Sequence, residues 1–317
     1  MLNKLIFDDS ILSFHRISRG QNNNNSVNSS LNSLTINKKD FEKQIVTLKK
    51  YFNIIDLNKI LNSKLNSKKR NIVLTFDDGY KDNLTNALPI LRKYKVPATI
   101  YITTRFLQNK CNIWWYEIEK FISKNSQLKF KFLDKNYSFS LKSKKNKKRC
   151  FEILSSLFKE LNYNQQNNLL RKITKKGNRT QYKKELLSKQ DLIFLNKNYL
   201  ITIGAHTHNH ISLTCLNNKD SILELKKSKK ILENLLKKKV YHFAYPYGSK
   251  KDATLRESNL VKKVKFKSAV TTQIQFHKIK NKFLIPRLHI NSKDQGIILL
   301  LKLSWFYKLY QIIKEKF

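Results

Sequence analysis

Short apolar runs of strand length alternate with helical spacings along most of this 317-residue chain, and that alternation restricts the fold more than any single motif. "SILSFH" (Ser10–His15) reads as a first strand. Beyond a polar, Asn-rich loop (19–33), "KKDFEKQIVTLKKYF" repeats Phe41, Ile45, Leu48 and Phe52 at helical spacing. "NIVLTFDDGY" is a buried-type strand running into a turn, and "NLTNALPILRKYKVPATIYIT" gives a helix, a break at Pro97 and another β-rich run. Further on, "SILELKKSKKILENLL" is an amphipathic helix, while "VYHFAYPYG", "FKSAVTT" and "FLIPRLHI" are strand-like. Strands separated by helices pair in parallel, which places the chain in the α/β class. No repeat of roughly 20–50 residues is visible, which disfavours a solenoid.

Between about residues 112 and 198 the character changes: this stretch is Lys-rich, with one glycine, Gly177, and no proline. "FEILSSLFKELN" and "ELLSKQDLIFLNKN" look helical, "LKFKFLDKNYSFSL" alternates as a hairpin does, and "KSKKNKKR" reads as a solvated loop. The segment is expected to be an insertion or cap on a domain spanning 1–295, not a second catalytic domain. The tail "GIILLLKLSWFYKLYQIIKEKF" (296–317) is expected to form one basic, aromatic helix. Lys302, Lys308 and Lys314 point three ways on such a helix, so packing on the domain and lying in a membrane interface are both open.

Charge separates function classes only weakly. Lys and Arg number 64 against 22 Asp and Glu, a formal net charge of +42. Such an excess suits an anionic membrane or a nucleic acid. Only ten of the cations are arginines, the residue favoured for forked phosphate and base contacts, and the lysines are scattered among asparagines as a compositional bias would scatter them. No nucleic-acid motif accompanies them, so no specific nucleic-acid partner is expected. The three cysteines, Cys111, Cys150 and Cys215, are far apart and form no CxxC pair, so reduced thiols are expected. The N-terminus lacks the apolar stretch of a signal peptide, and no window approaches the apolar length of a spanning helix. A cytoplasmic protein is the expectation.

Glycine and proline are scarce, six and four, so their positions carry information. Gly79, Gly204 and Gly248 each close a strand beside polar residues: "TFDDG", "GAHTHNH" and "YPYG". Loops at strand ends are where α/β folds build sites. Asp77 and Asp78 at a strand end either cap a turn or share a pocket, where their repulsion calls for a cation. His206 and His210, four apart, share one face of a helical turn, as two metal ligands do; surface histidines can show the same spacing. His208 points elsewhere and takes no role. Two histidines and a carboxylate together make a common facial set for Zn²⁺ or another divalent ion.

"LTFDDGY", "IGAHTHNH" with Leu213 three residues on, "HFAYPYG" and "IPRLHI" resemble, in order and spacing, the polysaccharide deacetylases, the NodB-type domain of carbohydrate esterase family 4. "ILSFHR" and "LSKQDLIFL" fit the same pattern, and the resemblance covers roughly 8–292. It implies a distorted (β/α)7-type barrel with a helical and hairpin insertion between the first and second motifs. It also implies a divalent metal, most naturally Zn²⁺, used to hydrolyse N- or O-acetyl groups on a polysaccharide or lipid-linked oligosaccharide of surface glycan synthesis. On that resemblance Asp77 is the general base, and Asp78, His206 and His210 are the metal ligands. The Tyr247 N–H helps hold the oxyanion, and Tyr245, Tyr247 and His15 border the sugar pocket. For both tyrosines the alternative is a strand aromatic packed in a core. Many members carry an arginine in the third motif that holds the base; Ala244 stands there, and Arg287 is the expected replacement, paired with Asp77. His289 is the expected general acid, with a structural strand histidine as the alternative, and the family's Asp–Trp motif has no match. These departures keep a non-catalytic glycan-binding module in play. The basic tail is expected to hold the protein near the inner face of an anionic membrane.

Overall fold

The computed structural model describes residues 6–20, 33–61, 69–108, 111–175, 184–275 and 281–314. Residues 21–32 of the Asn-rich loop, the first five residues and the last three of the tail lie outside these ranges.

Seven parallel strands carry the architecture among the described residues: β1 (Ser10–Phe14), β2 (Asn71–Phe76), β3 (Ala98–Ile102), β4 (Ile201–Ala205), β5 (His242–Ala244), β6 (Ser268–Val270) and β7 (Leu288–His289). Their spatial order follows the chain, and β7 returns to pair with β1 through Leu12–Leu288 and Ser13–His289. Three residues before β7, Ile285 bridges in parallel to Val270 of β6. The segment 285–289 therefore closes the seam of a barrel. An eighth, two-residue strand, Asn53–Ile54, pairs beside the start of β2.

Every residue of β1, β2 and β3 is buried, as parallel strands covered on both faces require. Alternation sorts them into two layers. Leu12, Phe14, Leu74, Phe76, Ile100 and Ile102 face outward into the main core beneath the helices. There Phe41, Ile45 and Leu48 of the helix Lys38–Tyr51 pack, at the spacing the sequence predicts. Ile11, Val73, Tyr101, Ala244, Val270 and Ile285 face inward as a separate cluster, with Leu57 and Ile60 against it.

The insertion between β3 and β4 has its own apolar cluster, from Cys111, Trp114 and Ile118 through Leu154, Phe158 and Leu169 to Leu186. It comprises the helices Trp114–Lys124, Lys144–Lys159 and Tyr163–Thr174 and the hairpin Gln127–Phe132/Lys135–Ser140. "KSKKNKKR" is not the expected loop. Ser143 caps a helix that begins at Lys144, and the charged first turns face water while Cys150, Phe151, Leu154 and Phe158 anchor the rest. Helix Lys189–Asn196, placed in the insertion by its sequence, packs Leu192 and Leu195 into the barrel core instead.

The tail is two helices, Gly296–Leu303 and Trp305–Lys314, not one. Ser304 is extended and bridges to Phe7, which breaks the helical phase. Among the described residues no helix is long and apolar enough to cross a membrane.

Candidate active site

The C-terminal ends of β1, β2, β4, β5 and β7 surround a cavity of about 340 Å³. Asp77 and Asp78 follow β2 directly, with the Asp77 N–H donating to the Phe14 carbonyl at 3.0 Å. His206 follows β4, its N–H donating to the Ile102 carbonyl of β3 at 3.0 Å. One donor atom each from Asp78, His206 and His210 lies within 4.8 Å of the others, all three residues buried. Asp78 Oδ1 stands 3.1 Å from Nε2 of His210 and 3.4 Å from Nε2 of His206, yet makes a hydrogen bond with proper geometry to neither. Atoms so arranged aim at a common point between them.

The rings are fixed from behind. His206 Nδ1 donates to the Ala244 carbonyl at 2.7 Å, which leaves the Nε2 lone pair facing the cluster, as in histidines that bind metals. His210 stacks on Phe106 and meets Trp115 and Tyr247. Thr207 and His210 both hold positive φ, 58° and 56°, and the Thr207 hydroxyl accepts from the His210 N–H at 3.0 Å. Asp78 at 76° and Tyr247 at 62° share this left-handed backbone, uncommon outside glycine and concentrated here around one cavity. His208 turns away: Nδ1 contacts the Thr104 hydroxyl at 2.8 Å, and burial lowers its pKa to about 3.

Asp77 is paired with Arg287. Nη1 donates to Oδ1 at 2.8 Å and Nη2 to Oδ2 at 2.7 Å, a bidentate fork with the guanidinium fully buried. The fork is itself oriented by Nε on the Thr271 carbonyl, Nη1 on the Thr75 hydroxyl and the Tyr101 ring 5.6 Å from the guanidinium carbon. Burial alone would raise both carboxylates, but Arg287 holds Asp77 below the usual range. His210 and His206 hold Asp78 well below it.

His15 Nε2 lies 3.9 Å from Asp77 Oδ2, and the His15 ring meets His289 edge-on at 5.7 Å. His289 Nε2 is spent on the Ser33 carbonyl at 3.1 Å, and burial lowers its pKa to about 3. Of the two rings, His15 is the nearer to the carboxylates. The Tyr245 ring lines the cavity, but its hydroxyl donates to the Phe283 carbonyl and its ring meets Phe243 in a T-shaped contact. Tyr247 lines the cavity with its hydroxyl accepting from Trp114 Nε1 at 3.3 Å. Among the described residues no group accepts the Tyr247 backbone N–H.

Several residues escape sequence reasoning. Trp114, Trp115, Phe151 and Lys159 bring the insertion to the cavity as one of its walls. The pair "WW" at the start of the insertion was the available signal. Glu224, on the helix Asn218–Leu236, accepts the N–H groups of His208 and Asn209 at 3.0 Å each and so shapes the histidine loop. Nothing in that lysine-rich helix marks it out.

A sequence profile described as polysaccharide deacetylase matches residues 64–150 and 189–265, more than half of the chain. The chain belongs to the polysaccharide deacetylase family. The gap between the two matched polysaccharide deacetylase segments, 151–188, falls within the chain between β3 and β4. The poly-β-1,6-N-acetyl-D-glucosamine N-deacetylase of Staphylococcus aureus (strain MSSA476) is 34% identical over 101 residues, 29% of this chain and 35% of that one. The chain thus spans about a third of the length of the curated relatives it matches. Among solved structures, the deacetylase PplD of Streptococcus pyogenes, in complex with acetate, superposes with a TM-score of 0.62 at 18% identity, over 94% of this chain and 99% of that one. IcaB from Ammonifex degensii gives 0.58 at 12% identity, over 93% and 96%. These likenesses establish the deacetylase barrel as the fold.

Proposed function

We propose that this chain is a divalent-metal-dependent carbohydrate deacetylase that hydrolyses an acetyl group from a glycan of surface polysaccharide synthesis. The observation that carries the reading is the convergence of Asp78, His206 and His210 beside a second carboxylate locked by a buried arginine. The donor set fits a zinc-class ion: two imidazole nitrogens and a carboxylate oxygen, the latter buried and short of a hydrogen-bond partner. Such an ion would polarise the acetyl carbonyl and lower the pKa of water in contact with it.

The chain's own groups supply the rest. Asp77, kept ionised by Arg287, takes the proton of the attacking water. The uncommitted Tyr247 N–H receives the oxygen that gains negative charge. The leaving amine receives the proton that Asp77 takes from water, passed on by His15, whose Nε2 lies 3.9 Å from the Asp77 carboxylate, with His289 behind it. Trp114, Trp115 and the Tyr247 ring offer aromatic surface for a sugar face, and Tyr245 positions the wall behind them. The absence of an arginine at Ala244 favours a non-catalytic module only if nothing else holds Asp77, and Arg287 does so.

The test is elemental mass spectrometry with acetate release from poly-β-1,6-N-acetylglucosamine, the polymer named for the staphylococcal relative. About one zinc-class ion per chain and acetate release that Asp77→Asn abolishes are expected. A metal-free chain after supplementation, releasing no acetate, would overturn the reading.

A further inference from the structure

The two tail helices turn an apolar face to solvent. On Trp305–Lys314 the exposed residues are Phe306, Leu309, Tyr310 and Ile313, the spacing of one side of a helix. On Gly296–Leu303, Ile297 (69% exposed) and Leu301 (60%) continue the surface. An amphipathic helix on a globular domain ordinarily buries this side. Here the opposite is built in: Lys308 is the buried residue, its Nζ 2.9 Å from the Ser10 hydroxyl and 3.5 Å from the Asp8 carboxylate. Leu299 and Leu303 fasten the preceding helix to the core. The outward face is therefore held in place by its other side.

The border of this face is cationic. Lys39 and Lys43, both exposed, share a surface hollow with Ile297 and Ile298, and exposed Lys314 ends the second helix. Of the acids close by, Glu42 pairs with Lys93 at 2.7 Å and Asp294 with Lys302 at 2.7 Å.

We infer that this face is a docking surface for an anionic lipid bilayer. Apolar side chains enter the acyl boundary while Lys39, Lys43 and Lys314 meet the headgroups. A second copy of the chain fits less well, because a two-fold contact would set one lysine border against the other. The second helix lies by the start of β1, and the surface shares no lining residue with the cavity, so the inference does not depend on the proposed chemistry.

Cosedimentation of the full chain with phosphatidylcholine vesicles, with and without phosphatidylglycerol, tests the inference. At about 0.5 M salt, where screening shortens to roughly 4 Å, charge alone no longer binds a basic protein. Wild type is expected to sediment with the phosphatidylglycerol vesicles under these conditions. Phe306→Glu combined with Ile313→Glu, both at exposed positions, is expected to cut the bound fraction about tenfold. Lys39→Glu with Lys43→Glu is expected to lower the salt concentration at which the preference for phosphatidylglycerol disappears. Equal sedimentation of the Phe306/Ile313 variant and wild type would overturn the inference. So would a wild type that ignores vesicles but elutes as a dimer, with the same variant monomeric, since a second copy would then be the occupant.

Discussion

Arg287 and Asp77 meet inside the barrel as a two-bond fork, 2.8 and 2.7 Å, with neither side chain open to water. The arginine arrives from the seam that closes the sheet and the aspartate from the end of β2, so fold closure and carboxylate charge are set by one contact. Lysine keeps the charge but not the fork. Arg287→Lys is expected to lower kcat by about 10- to 100-fold through loss of base positioning, with metal content unchanged. Arg287→Leu strands a buried carboxylate and is expected to cost about 3–5 kcal/mol in denaturant unfolding.

Metal content distinguishes the three histidines of "HTHNH". His206→Ala and His210→Ala are each expected to reduce the bound ion by at least about tenfold, because three protein ligands are a minimum for a site of this kind. His208→Ala removes only a contact to Thr104 and is expected to retain the ion. Elemental mass spectrometry on the three variants reads the difference directly.

Rates separate the two rings beside Asp77. Proton transfer to the leaving amine is worth about 10²- to 10⁴-fold, so His15→Ala is expected to fall in that range at constant KM. His289→Ala is expected to fall less. A reversed order would assign the proton to His289.

His242 offers a pH test away from the cavity. Its nitrogens contact the Ser268 hydroxyl and the Asn58 side chain, and burial lowers its pKa from 6.5 to about 4. Below pH 6.5 the unfolded chain binds a proton that the folded chain refuses, so stability is complete above 6.5 and drains as pH falls toward 4. The full span is on the order of 3 kcal/mol. His242→Gln is expected to remove that part of the slope in denaturant titrations run across this window.

Much of the site was legible because its residues lie close in sequence. Asp77 with Asp78, and His206 with His210, sit at the ends of apolar strands, and the alternation that reveals the strands also reveals where they stop. Arg287 was reachable through the family resemblance, as the replacement for the arginine that many members carry where Ala244 stands. Glu224 and Tyr101 were not, because each acts through a partner far along the chain. Trp114 meets Tyr247 across 133 positions, a distance no local periodicity reports. The helix beginning at Lys144 was hidden because its first turns are all polar, and the tail's break at Ser304 because its cause is a bridge to Phe7.

Gly204 shows how tightly those distant contacts fit. A Cβ there would stand 2.4 Å from the Tyr101 ring and 3.0 Å from the His242 carbonyl. Gly204→Ala is expected to cost about 1–3 kcal/mol and to lower the thermal midpoint. Tyr101→Leu in the same chain is expected to recover part of the loss, since the two sites share one clash.

The insertion's separate apolar core has a further consequence. The cavity is walled on one side by strand ends that carry the carboxylates and histidines, and on the other by helices with their own interior. The two interiors meet at the cavity: Trp114 donates to the Tyr247 hydroxyl, and Trp115 and Phe106 pack on the His210 ring. A change in the wall at Trp114 or Trp115 is therefore transmitted to Tyr247 and His210, so the shape of the cavity and the aim of its rings vary together.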